Sequence, residues 1–372
     1  MNNIKVKFVD MSLQFYSLKS EIVQRVISAL ESGDYILGSE VKEFETAFAK
    51  YCDCKFAVGV GNGTDALFLC MKAVGIGNGD EVITSPNSFI GTAGSIVAAG
   101  AKPVFVDVSE DYNINPDLIA NAITKKTKAI IPVHLTGKPA NMTKILEIAK
   151  QHNLYVIEDA AQAVGTKYKG KKVGSFGITG CFSLHSLKNL DCCGDGGIIT
   201  TNDETLYKKL ILLRNHGLKN RDEIDIWGYN SRLDSIQAAI LNVRLKHLEK
   251  TKERISEIVS MYQKGLSELK GVIKIPYDKE YEEPFYHNFI IQTERRDELL
   301  SYLLENGIET KIHYPIPIHL QKPALMFGFK EGDFPVAESQ AKRILSLPLY
   351  SELTNEQINL VIESIKSFFR SQ

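Results

Sequence analysis

The sequence predicts an α/β protein: a large domain built on a seven-stranded, mostly parallel sheet, followed by a smaller α+β C-terminal domain. Three observations predict it. Short apolar, β-branched runs recur through the first two thirds of the 372 residues. Helical patterns lie between most of them. From about Asn242 the pattern changes to a long charged helix followed by mixed signals. Strands that alternate with helices argue a sheet covered on both faces.

The seven strand signals fall at residues 56–61, 81–86, 102–108, 129–135, 155–159, 180–185 and 196–201. Each is short and rich in valine, isoleucine, threonine or phenylalanine. Helices are expected at 64–74, 93–99, 116–123 and 142–152, where apolar residues return every three or four positions. Beyond the sheet, a helix over 243–269 repeats Leu245, Leu248, Ile255, Ile258, Val259, Tyr262 and Leu266 at helical spacing. Strands at 271–276, 286–293 and 309–314 and helices at 297–305 and 355–369 complete the C-terminal part. The expected division is 1–242 and 243–372, with the N-terminal arm belonging to the large domain. In such sheets ligands sit outside the carboxyl ends of the strands, so strand ends are where site residues are sought.

Composition narrows the function classes. The net charge is −1 and the content of hydrophobic residues is 44%. No basic excess marks a nucleic-acid partner. No apolar run is long enough to cross a membrane, and residues 1–7 lack the apolar core of a signal peptide, so a cytoplasmic location is expected. The six cysteines include Cys52-Asp53-Cys54 and Cys192-Cys193, but no paired CxxC, and the eight histidines form no HxxxH; no metal site is expected.

Four motifs carry the chemistry. Gly59-Val60-Gly61-Asn62-Gly63-Thr64 joins a strand to a helix. Its sixth position is threonine, which departs from a dinucleotide fingerprint, and no Gly-Lys-Ser/Thr follows. Free N–H groups and the Thr64 hydroxyl still make an anion site there; an ordinary N-cap is the plainer alternative. Phe89 lies on the loop after the second strand, as a stacking surface for a flat cofactor or as core packing. Asp159 ends an apolar strand, as an acid or as a cap. Lys188 follows by 29 residues, between a strand and Gly194-Asp195-Gly196-Gly197, whose glycines permit close backbone approach. A lysine amine able to form a Schiff base, with a carboxylate to keep a ring nitrogen protonated, suits pyridoxal 5′-phosphate (PLP).

In this order the motifs closely resemble the DegT/DnrJ/EryC1/StrS family of sugar aminotransferases. The resemblance also rests on Glu158-Asp159-Ala160-Ala161-Gln162, on residues 182–189, on Arg214-Asn215-His216-Gly217, on residues 228–239 and on residues 313–321. It covers essentially the whole chain. It implies the fold type I PLP-transferase architecture, with Lys188 bonded to the cofactor and shuttling protons. Asp159 is then set against the pyridinium nitrogen, Phe89 stacked on the ring and Gln162 near the ring hydroxyl. Gly63, Thr64 and Ser183 would hold the phosphate. Asn230 would complete the phosphate site of a neighbouring subunit, which makes a homodimer with shared sites. His313, Tyr314 and His319 would face the substrate.

The implied reaction moves an amino group from L-glutamate to a nucleotide-linked keto-sugar, with a dTDP-3-keto-6-deoxyhexose as the expected acceptor. It would serve amino-sugar biosynthesis, for a surface glycan such as lipopolysaccharide O-antigen or for a secondary metabolite. Two alternatives stand beside it. A sugar dehydratase of the same family carries histidine in place of the lysine, and Lys188 argues against it. A non-catalytic PLP-binding regulator would not require the full lysine, acid and phosphate set. Two departures touch pocket shape: Leu184 stands where many relatives have an aromatic, and Ser186-Leu187 replace a frequent Pro-Thr.

Overall fold

The chain enters through two helices, α1 (Met11–Ser32) and α2 (Ser39–Tyr51). Asp10 caps the first by accepting from the N–H groups of Ser12 and Leu13. Strands and helices then alternate: β1 (Phe56–Val60), α3 (Gly63–Ala73), β2 (Glu81–Thr84), α4 (Ile90–Ala98), β3 (Lys102–Phe105), α5 (Pro116–Ile119), β4 (Thr127–Ile130), α6 (Met142–His152) and β5 (Tyr155–Asp159). A small hairpin, β6 (Lys167–Tyr168) and β7 (Lys171–Lys172), leads to β8 (Thr179–Ser183), β9 (Gly197–Thr201), α7 (Glu204–Arg214) and α8 (Ser235–Gly265). After β10 (Glu282–Glu283), which joins the hairpin, come β11 (Phe289–Gln292), α9 (Arg296–Glu305), α10 (Pro335–Arg343), β12 (Ile344–Leu347) and α11 (Asn355–Arg370). This computed structural model describes residues 4–370.

All seven strands read from the sequence pair into one sheet, in the order β1-β9-β8-β5-β4-β2-β3. The pairings β2–β3, β2–β4, β4–β5 and β5–β8 are parallel; β9 runs antiparallel to both its neighbours. Helices pack on the sheet because both faces are apolar. Val58, Val60, Ile157 and Ile199 meet Leu67, Leu69, Cys70 and Leu210 in one buried layer. In a second layer Ile83, Ile130 and Val156 meet Ile145.

The C-terminal part departs from the expected strands. Of the segments 271–276, 286–293 and 309–314, the middle one holds β11. The outer two contribute only isolated bridges, Ile273 to Lys270 and Lys274 to Gln292 from the first and Lys311 to Ser346 from the last. Pro276 and Pro315 close those segments, and a proline cannot donate to a continuing ladder. The partner of β11 is β12, which the sequence reading passed over. The long helix also starts earlier than residue 243, so the expected division at 242/243 falls inside α8. Its buried residues Ala238, Leu241, Leu248, Ile255, Ile258, Val259 and Tyr262 share one core with Phe44 and Phe48 of α2 and Ile365 of α11.

Candidate active site

The carboxyl ends of the sheet strands and the starts of α3 and α4 surround one cavity of about 950 Å³. Asp159, the last residue of β5, reaches it from the sheet and is buried. Its Oδ2 accepts from the Thr92 hydroxyl at 2.7 Å, and its Oδ1 from the Ala161 N–H at 3.1 Å. Burial pushes the carboxyl above its ordinary range; those two bonds and the charge of Lys188 pull it back.

Lys188 lies on the turn after β8, half-buried in the cavity wall. Its amine makes no hydrogen bond among the described residues. Burial lowers its pKa to about 8, against the attraction of Asp159. An amine near neutrality beside a buried carboxylate is fit both to attack a carbonyl carbon and to carry a proton.

Anion-binding geometry sits at the start of α3. Asn62 caps the helix, its side chain accepting from the Asp65 N–H at 2.8 Å. Gly63 and Thr64 open the helix, where no intrahelical acceptor precedes their N–H groups. A Cβ at residue 63 would fall 2.8 Å from the Ser183 Cβ, so glycine is what lets the helix start meet the end of β8.

Phe89 stands before α4 with 55% of its surface exposed, and its ring lies 5.9 Å from that of Tyr314. Gln162 accepts from the Thr136 N–H at 2.7 Å and approaches the Tyr314 hydroxyl at 3.4 Å. His313 pairs through Nδ1 with the Ser346 hydroxyl at 2.9 Å, and burial lowers its pKa to about 4. All of the residues expected at a site line this cavity except Asn230 and His319.

His319 is a correction. It sits in the short turn Ile318–Leu320, fully buried, with Nε2 donating to Glu338 at 3.0 Å and its ring against Phe334. The turn directs it into the core, away from the substrate side where the sequence reading put it beside His313 and Tyr314. Asn230 is exposed and bridges to Asn215, outside the cavity of its own chain. The structure also adds residues that the sequence reading did not single out: Thr92 beneath Asp159, and the pair Asn189 and His287 beside Lys188. The one available signal for His287 was a His-Asn pair inside an apolar strand pattern.

A family model described as the DegT/DnrJ/EryC1/StrS aminotransferase family matches residues 16–366. The chain belongs to that family. Relatives of this DegT/DnrJ/EryC1/StrS aminotransferase include a protein of Geobacillus stearothermophilus named pleiotropic regulatory protein. It is 45% identical over 99% of each chain. A Streptomyces venezuelae protein named dTDP-3-amino-3,4,6-trideoxy-alpha-D-glucose transaminase is 41% identical, over 98% of this chain and 96% of that one. Among solved structures, NtdA from Bacillus subtilis with bound cofactor PMP superposes with a TM-score of 0.93 at 32% identity, over 100% of this chain and 86% of that one. Among the described residues of this aminotransferase, no helix is long and apolar enough to cross a membrane.

Proposed function

We propose that the cavity holds PLP and that the chain transfers an amino group from L-glutamate to a nucleotide-linked keto-sugar, a dTDP-3-keto-6-deoxyhexose. The observation that carries this reading is the Lys188 amine, without a hydrogen bond among the described residues and with its pKa lowered to about 8, in the same cavity as the buried Asp159. The fit extends along the cavity. The N–H groups of Gly63 and Thr64, with the Ser183 hydroxyl, would hold the phosphate. The exposed face of Phe89 would cover the ring, and Gln162 would meet its hydroxyl.

When bound, PLP supplies an aldehyde carbon to receive the amino group and a cationic ring to hold electrons as a C–H bond breaks. The residues do the rest. Asp159 places a buried negative charge where it keeps a ring nitrogen protonated. Thr92 and the Ala161 N–H stabilise that charge. Lys188 anchors the cofactor at rest and, once released, moves a proton away from the donor α-carbon. His313 and Tyr314 face the acceptor.

The same reading places Asn230 in the phosphate site of a second copy, so two chains share two sites. The cofactor-binding portion then ends where α8 begins, not at 242/243, and the segments after that helix close over the cavity, in the cytoplasm. The relative named as a regulatory protein favours a second reading, a PLP-binding sensor. The two differ in one experiment. PLP-loaded protein is mixed with L-glutamate, then with matched 3-keto and 4-keto dTDP-sugars. The transaminase reading expects 2-oxoglutarate and an aminated 3-keto sugar by mass. Cofactor binding with no 2-oxoglutarate would support the sensor. Amination of the 4-keto compound alone would overturn the regiochemistry.

A further inference from the structure

A hydrogen bond from Asn189, the residue after Lys188, leads to a histidine that the proposed mechanism leaves unused. Asn189 follows Lys188 directly. Its Nδ2 faces the backbone oxygens of Tyr286 at 3.0 Å and Phe285 at 3.4 Å. Carbonyl oxygens only accept, so the amide must point its NH₂ at them. The Asn189 oxygen is thereby turned to His287 Nδ1, 3.2 Å away. An amide oxygen also only accepts, so Nδ1 carries the proton.

The neutral ring then presents a lone pair at Nε2. That atom has no hydrogen-bond partner among the described residues, and His287 lines the cavity. Burial, and then the positive charge of Lys188, hold its pKa well below the ordinary histidine value, so the ring stays neutral.

The backbone fixes the ring in place. The His287 N–H donates to Thr136 O at 2.8 Å, and the Thr136 N–H in turn donates to Gln162 Oε1 at 2.7 Å. A Cβ at residue 137 would lie 2.1 Å from Phe285 O, so Gly137 permits this close approach.

We infer that His287 is a specificity-determining residue whose Nε2 accepts a hydrogen bond from a sugar hydroxyl flanking the reacting carbon. The inference rests on the transaminase reading above. An acceptor-only atom beside Lys188 favours O–H donors and disfavours carboxylate or phosphate oxygens, which bring only lone pairs. It would therefore read the sugar and not the diphosphate or the carboxylate of glutamate. A site built to pair a substrate hydroxyl rejects the analogue that lacks it.

Two readouts test this. In the first, ¹⁵N spectra of histidine-labelled protein, assigned by the signal lost in His287→Phe, report the tautomer without any cofactor. The Nδ1–H form is expected, and the Nε2–H form would overturn the inference. In the second, PLP-loaded protein is given dTDP-linked 3-amino-hexoses with both flanking hydroxyls, or with one or the other removed, and conversion of the cofactor is followed by absorbance.

Wild type should be slowed on the order of 100-fold by loss of one particular hydroxyl, the factor that one lost hydrogen-bond partner brings. His287→Phe should be slowed equally with the full sugar and no further with that deoxy analogue, while His287→Gln, which keeps an acceptor oxygen, should retain part of the discrimination. Equal slowing of all sugars by His287→Phe in protein with a native circular dichroism spectrum would overturn the inference. Wild type that reacts with none of them would instead overturn the transaminase reading on which it stands.

Discussion

The Thr92 hydroxyl donates to Asp159 Oδ2 over 2.7 Å, and both side chains are buried. The strand that ends in Asp159 and the helix that carries Thr92 thus meet at a carboxylate that burial would otherwise protonate more readily. Thr92→Val removes the donor at nearly constant volume. The variant should lose about 1–3 kcal/mol of apoprotein stability at pH 7, read from urea unfolding, because a buried acceptor is left one partner short. Its glutamate half-reaction should slow about tenfold. An unchanged midpoint and rate would mean that the hydroxyl does not support the carboxylate.

Asp159→Asn should keep PLP bound and slow the glutamate half-reaction on the order of a thousandfold, since a neutral amide cannot hold a ring nitrogen protonated. Single-turnover absorbance measurements decide it. A near-normal rate would make Asp159 a structural cap on the turn that follows β5.

The Lys188 amine is lowered from 10.5 to about 8 in the folded chain. Between those values the unfolded chain binds more protons, so apoprotein stability should rise with pH across that window. Below about pH 8 the buried charge costs stability. Lys188→Met should therefore be more stable than wild-type apoprotein at pH 7, by about 1–2 kcal/mol once solvent screening is discounted, and the gap should narrow above about pH 8 and close only above 10.5. Urea unfolding of both proteins at three pH values tests the sign. For the same reason, capture of PLP by the apoprotein should quicken as pH rises towards about 8 and level off above it. A stopped-flow rate that is flat with pH would contradict a free, depressed amine.

Asn230 is exposed in its own chain and lies outside its own cavity. If it serves a neighbour, mixing Asn230→Ala chains with Lys188→Ala chains should restore part of the activity. One shared site would then carry both lesions and the other neither. Heterodimers that form, by native mass spectrometry, yet stay inactive would show that each site is built within one chain.

The sheet was legible because its strands are buried on both faces and so read as short β-branched runs. Asp159 and Lys188 were legible because each sits at a strand end, where the fold exposes side chains to ligands. Helix α1 was not, because Leu13, Val23, Ile27 and Leu30 are exposed while Ile22 and Ala29 are buried, which blurs its apolar stripe. Strand β12 escaped because it follows α10 without a break, and four residues are too few to show a period. His319 misled because it shares a proline-rich segment with His313 and Tyr314, while its partners in the core, Glu338 and Phe334, lie 19 and 15 positions on. His287 and Asn189 could not be joined from sequence, since their bond spans 98 positions.

Lys188 is proposed to bond to the cofactor, and chemical trapping of that bond identifies the lysine involved. PLP-loaded wild-type protein is reduced with borohydride, digested and mapped by mass. One phosphopyridoxyl adduct is expected, on Lys188, absent from Lys188→Ala protein that still binds PLP reversibly. An adduct on any other lysine, or none in protein that holds PLP, would contradict it.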